Sequence, residues 1–277
     1  MNIPNAKISA FKSFEDNSDY DVWLIESDDS RFVIKPVKNF ELDVYSTFFT
    51  DNLLGAPRFI SSIKNEDNTY LMIEYIEGKA LCNCDHRSIK LALDALISIQ
   101  EKYWNNSNYN NFGYTYEKTY ESRLNRGKYL NDAELERAYQ KYLSIYSELP
   151  RTLCHDDLLP FNVIVNENSA SIIDWEFAGI LPYLTSLARL IAHTEESPNA
   201  FFYMSNDDKA FAIKYYYDNF VSKHSISYQE YRKSLDLFLF YEYCEWIMLG
   251  NKYPNSNKER ALQYLIKAKE HIKRSNI

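Results

Sequence analysis

At 277 residues, with 45% hydrophobic and 16% aromatic side chains, the chain has the length for one or two domains and the apolar content for a packed core. The formal net charge of −8 argues against nucleic acid as a partner, and four scattered cysteines are too few for a disulfide framework, which fits a reducing compartment. The N-terminus carries no apolar signal region and no apolar run approaches the ~18 residues that span a bilayer, so a soluble, cytoplasmic protein without a membrane partner is expected.

Strand signals come first along the chain. Phe14-Glu15-Asp16-Asn17-Ser18-Asp19-Tyr20-Asp21 runs into Val22-Trp23-Leu24-Ile25 without a glycine, and Phe32-Val33-Ile34-Lys35 is an apolar run ending in lysine. From Glu41 to Phe49 the pattern turns helical, with Asp43 as a second early acid. Tyr70 to Ile73 reads as a buried strand that continues through Glu74, Tyr75 and Ile76 to a break at Gly78. Beyond it, apolar spacing predicts helices over 87–103, 117–147, 184–195, 207–222, 228–249 and 257–274. Only 6 glycines fit a helical second half better than an all-β chain.

The most specific segment lies at residues 151–179. Val163, Ile164 and Val165 form a β-branched run, Asn166 to Ala170 supply turn residues, and Ile172 and Ile173 begin a second run, which together predict a hairpin. A hairpin brings its outer ends together, so Asn162 and Asp174 should lie side by side, with Asp157 projecting from the loop before them. Two adjacent oxygen ligands suit Mg²⁺, which completes its octahedron with water and phosphate oxygens. A free carboxylate nearby can orient a hydroxyl, and the set suits phosphoryl transfer, where positioning and charge neutralisation supply most of the catalysis.

His155-Asp156-Asp157 with Asn162, followed by Asp174-Trp175-Glu176, resembles the catalytic and metal-binding loops of the aminoglycoside phosphotransferase and choline kinase families, relatives of the protein kinases. That resemblance implies an α+β, bilobal protein-kinase-like fold, with a small β-rich lobe over residues 1–77 and a larger, mostly helical lobe over 78–277. It implies Lys35 as the lysine on the phosphates of ATP or GTP, paired with Glu41, or with Asp43 if the helix is phased differently. Ser18 would cap the phosphates, and the main chain at Glu74, Tyr75 and Ile76 would meet the adenine. Asn162 and Asp174 would hold Mg²⁺, Asp157 would act on the acceptor hydroxyl, and His155 would brace the loop. Two features stand out. The first loop lacks the glycines that protein kinases use there, and so resembles the often Ser/Asn-rich loop of the antibiotic and choline kinases better. Thr185 or Ser186 stands where these families commonly have an acid, before Leu187-Ala188-Arg189-Leu190.

In these families the acceptor lies against C-terminal helices. Here Tyr241, Glu242, Glu245 and Trp246 fall within about one helical turn, and Asp156 adjoins the expected base. Two acids beside aromatic side chains suit a hydroxylated acceptor with a single cationic centre. The expected activity is phosphate transfer from the nucleotide to a small-molecule hydroxyl, of the aminoglycoside phosphotransferase type. A choline- or ethanolamine-type kinase and a non-catalytic nucleotide-binding module are the alternatives. The last 92 residues hold 11 acids against 13 bases, so the overall acidity is not concentrated there.

Overall fold

The β-branched and aromatic runs of the first 74 residues pair into one antiparallel sheet. Strands β1 (Lys7–Lys12), β2 (Asp19–Ser27), β3 (Ser30–Pro36), β4 (Phe59–Lys64) and β5 (Thr69–Glu74) lie in the order β1-β2-β3-β5-β4. β3 is thus central, and Lys35 near its end sits opposite Leu71. The structure, a computed structural model, describes residues 6–12, 18–28, 30–51, 55–66, 68–197 and 199–277. Residues 13–17 of the glycine-free stretch lie outside the described residues. Ser18, Asp19 and Asp21 are exposed, and Asp19 faces Lys12 at 3.3 Å.

Helix α1 (Glu41–Phe48) follows β3, with Glu41 in its first turn, where the helix dipole favours an acid. Glu41 is buried and Asp43 is exposed. The chain leaves the sheet at Gly78, where a Cβ would meet the Val165 carbonyl at 2.6 Å. That close approach lets the short strand β6 (Lys79–Ala80) enter the larger lobe.

The larger lobe is built on helix α2 (His86–Tyr103), whose start is capped by Asp85 accepting from the Ser88 N–H at 2.8 Å. It also holds α3 (Tyr116–Gly127), α4 (Ala133–Glu148), α5 (Leu184–Ala192), α6 (Asn206–Asn219), α7 (Tyr228–Lys252) and α8 (Pro254–Ser275). Two small sheets interrupt the helices. β7 (Arg151–Cys154) pairs with β10 (Gly179–Pro182), and β8 (Val163–Val165) pairs with both β6 and β9 (Ala170–Ile172). The predicted hairpin is therefore β8–β9, in the register Val163 with Ile172. Among the described residues no helix is long and apolar enough to cross a membrane.

One predicted helix is two. Residues 117–147 break into α3 and α4 because Asn131 takes a left-handed φ of 54° and Asp132 caps the second helix, accepting from Glu134 and Leu135 N–H at 3.0 and 3.2 Å. Asp132→Ala should lower stability by about 1 kcal/mol, read as a shift in the urea midpoint at unchanged slope. An unaltered midpoint would remove the cap from the account.

The lobes meet through buried aromatic contacts. Phe49, just after α1, packs on Trp175 at 4.8 Å between ring centres, and Phe48 packs on Tyr103 of α2 at 5.0 Å. The Tyr103 hydroxyl donates to the Phe48 carbonyl at 2.9 Å, and the Ile172 N–H donates to the Gly55 carbonyl at 2.7 Å.

Candidate active site

β7 delivers His155, and the β8–β9 hairpin returns the chain to Asp174 beside it. The His155 N–H donates to the Ser186 hydroxyl at 2.9 Å, and its ring Nε2 donates to the Ile173 carbonyl at 2.8 Å. His155 thus ties the loop to the hairpin's end, with burial pulling its pKa below the ordinary value so that it stays neutral. Of Thr185 and Ser186, it is Ser186 whose hydroxyl meets the loop. Thr185 turns its hydroxyl to the Pro182 carbonyl at 2.8 Å.

Asp156 and Asp174 both adopt left-handed backbone, with φ of 57° and 66°. Such strained positions in a non-glycine residue need support from their surroundings. Asp156 has it from the buried Arg123, whose Nη2 donates to Oδ1 at 2.5 Å. Asp174 has it from Lys35, whose Nζ lies 2.5 Å from Oδ1.

Lys35 spans the two lobes. Its ammonium also sits 2.9 Å from Oε1 of Glu41, off the hydrogen-bonding axis, so both Glu41 oxygens lack a geometric hydrogen bond. Burial pushes the Glu41 carboxyl up to about 7 against the opposing pull of Lys35. Burial works against the Lys35 charge too, yet Glu41 and Asp174 together raise its pKa. Burial likewise opposes ionisation of Asp174, and Lys35 overrides it, holding that carboxyl below its usual range.

Asn162 spends its amide Nδ2 on the Asp157 carbonyl at 2.9 Å, and its own carbonyl accepts from Ile173 N–H at 2.9 Å. The side-chain oxygen is the end left for a cation. Among the described residues no group of three or more His, Cys, Asp or Glu has the arrangement of a metal site. The donors left at Asn162 and Asp174 are oxygens, the kind a hard cation such as Mg²⁺ takes alongside phosphate and water.

At the hinge, Glu74 N–H donates to the Arg58 carbonyl at 3.0 Å and Tyr75 N–H to the Arg31 carbonyl at 3.4 Å. Arg31 also pairs with Glu77 at 2.8 Å. Of the three expected adenine contacts, Ile76 is the one whose N–H has no backbone acceptor among the described residues.

Asp157 accepts from Arg189 Nε at 3.1 Å and Nη2 at 2.8 Å. The same guanidinium donates through Nη1 to Glu242 at 2.9 Å and Glu245 at 2.6 Å. Arg126 adds a 2.7 Å bond to Glu245, whose Oε1 also accepts from the Tyr241 hydroxyl at 2.7 Å. The structure thus places Asp156, Asp157, Tyr241, Glu242 and Glu245 in one network with Arg123, Arg126 and Arg189, while Trp246 lies outside it, stacked under Arg260. Each of these acids is already paired with an arginine. Burial would raise the Glu245 carboxyl, but Arg189 and Arg126 hold it down at about 2. The sequence signal for the arginines is slight: Arg123 and Arg126 share a helical face, and Arg189 lies within Leu187–Leu190.

Residues 14–212 match the APH phosphotransferase enzyme family. Protein LicA of Haemophilus influenzae is 25% identical over 134 residues, which cover 48% of this chain and 47% of that protein. The chain spans less than half the length of the curated relatives it matches. A choline kinase from Cryptosporidium parvum Iowa II superposes with a TM-score of 0.62 at 17% identity, over 99% of this chain and 92% of that one. A thermostable mutant of the aminoglycoside phosphotransferase APH(4)-Ia, in ternary complex with ADP and hygromycin B, superposes with a TM-score of 0.59 at 13% identity, over 99% and 95%. At such identities the structural likeness carries the two-lobed fold.

Proposed function

The chain belongs to the phosphotransferase enzyme family, and from that premise we propose that it moves the γ-phosphoryl group of ATP or GTP to a hydroxyl of a small molecule. The observation that carries the reading is Lys35, held at once by Glu41 of the small lobe and Asp174 of the large one. An ammonium fixed between the lobes can meet nucleotide phosphates with little reorganisation.

In this mechanism the Ile76 main chain meets the purine edge and Ser18 lies by the phosphates. Lys35 moves its charge from Asp174 to phosphate oxygens as the nucleotide binds. Asn162 and Asp174 would hold Mg²⁺, which when bound neutralises charge on the phosphate oxygens. Asp157 accepts a hydrogen bond from the acceptor hydroxyl and orients it for in-line attack. His155 and Ser186 keep the loop in place.

The acceptor is proposed as a small hydroxylated compound. A choline- or ethanolamine-type acceptor draws support from the choline kinase likeness. The contacts expected for a cation do not add to that support, because Asp156, Glu242 and Glu245 are spent on arginines.

Thermal unfolding with MgATP tests the reading. At 100 times its dissociation constant a nucleotide adds about 2.7 kcal/mol, which should appear as a higher Tm. Asp174→Ala should lose the magnesium-dependent part of that rise and all ADP production with an acceptor panel. A magnesium-dependent rise without ADP from any acceptor favours the non-catalytic module. No rise at all would sink nucleotide binding.

A further inference from the structure

A cavity of about 220 Å³ lies where the ends of α3 and α7 approach α5. Arg189 is one of its walls, so the cavity begins one side chain away from Asp157. Its charged lining is Arg126, Arg189 and Lys252 against Glu245 alone, three positive groups to one negative. Glu245 Oε1 accepts from Arg126 and Tyr241, and Oε2 accepts from Arg189. Among the described residues the one lining carboxylate thus already answers two guanidiniums, and the net charge around the cavity stays positive.

The aromatic walls tell the same story. Arg260 stacks on the Trp246 ring at 4.2 Å, and Lys252 lies over Tyr253 at 5.0 Å and Tyr129 at 5.7 Å. Ring faces that could cradle a cationic ligand already carry the protein's own cations. A second cation would have to displace one of them and enter a positive field. An anion meets the opposite situation: the exposed ammonium of Lys252 faces it, and the Arg126 guanidinium, bonded through Nη1 to Glu245 and Nη2 to Ser122, adds positive charge and its remaining N–H donors.

We propose that the acceptor carries an anionic group, carboxylate or phosphate-like, on a compact apolar or aromatic body, and that Arg126 and Lys252 receive that group. Calling this ligand an acceptor rests on the phosphotransfer reading, whereas its charge rests on the cavity. With the anion held by α3 and α7, the far end of the molecule points its hydroxyl past Arg189 toward Asp157. A body the size of one aromatic ring suits the volume.

Calorimetric titration of four matched alcohols tests the charge: 4-(hydroxymethyl)benzoate, 4-(hydroxymethyl)phenylphosphonate, 4-(hydroxymethyl)benzylamine and benzyl alcohol. One or both anions should bind at least about tenfold more tightly than the amine, equivalent to roughly 1.4 kcal/mol, and the tighter anion identifies the group. Lys252→Glu, at an exposed position, should erase that preference. Equal binding of anion and amine, or tighter binding of the amine, overturns the proposal. ADP release with MgATP is read separately. Anion-selective binding without ADP leaves the charge inference standing and sinks the transfer reading; ADP release driven best by the amine does the reverse.

Discussion

Asp157→Ala should lower phosphoryl transfer roughly 10²- to 10⁴-fold while the protein stays folded, the range expected when a group that handles the acceptor proton is removed. Each factor of ten is about 1.36 kcal/mol of activation free energy, so the loss is worth about 3–5 kcal/mol. The fold should survive because Arg189, the partner left behind, keeps Glu242 and Glu245 as counter-charges. Asp157→Asn sharpens the test. The amide still accepts from Arg189 but cannot take a proton, so it should retain the parent's Tm and MgATP binding and lose turnover. An alanine variant that keeps more than about a tenth of the parental rate, against the range above, would remove Asp157 from the mechanism.

Arg189→Leu should be strongly destabilising. It strips a shared partner from Asp157, Glu242 and Glu245, whose side chains are 28%, 4% and 21% exposed. Breaking a buried ion pair on one side costs roughly 3–5 kcal/mol; partial exposure and the surviving Arg126 contact put this loss at the lower end. The pH dependence identifies the cause. In the parent, Glu245 is depressed to about 2, so its contribution is full above the unfolded carboxyl value of about 4.3 and fades as pH falls toward 2. In the variant Glu245 loses Arg189, and burial, opposed mainly by Arg126, pushes its folded pKa above the unfolded value. Stability then falls as pH climbs through that raised value. The deficit against the parent, from urea unfolding, should therefore be larger at pH 7 than at pH 4.5. A deficit equal at both would point to lost packing instead.

Much of the transfer site was legible because it is local. Asp157, Asn162 and Asp174 lie on a loop and a hairpin, and a hairpin's outer ends meet whatever the rest of the chain does. Lys35 and Glu41 were legible as a strand end followed by a helix start, and the structure selects Glu41 over Asp43 through the phase of α1. The arginine network was not legible in the same way. Arg126 reaches Glu245 across 119 residues and Arg189 reaches it across 56, and no periodicity links an arginine on one helix to a glutamate on another. Glu242 and Glu245 looked like available acids because their partners were invisible. The split of residues 117–147 was readable at Asn131-Asp132, where a left-handed residue and a cap adjoin, but amphipathic spacing on either side masked it.

The packing of α1 has a consequence for control. In protein kinases the equivalent helix can swing away, carrying its glutamate from the lysine and switching the enzyme off. Here Phe48 and Phe49 at the end of α1 are locked onto Tyr103 and Trp175, and the Ile172 N–H is tied to Gly55 just beyond. A swung-out position would open that aromatic seam to water. Swinging α1 outward would therefore cost the burial of Phe48 and Phe49, the same packing that holds Glu41 beside Lys35.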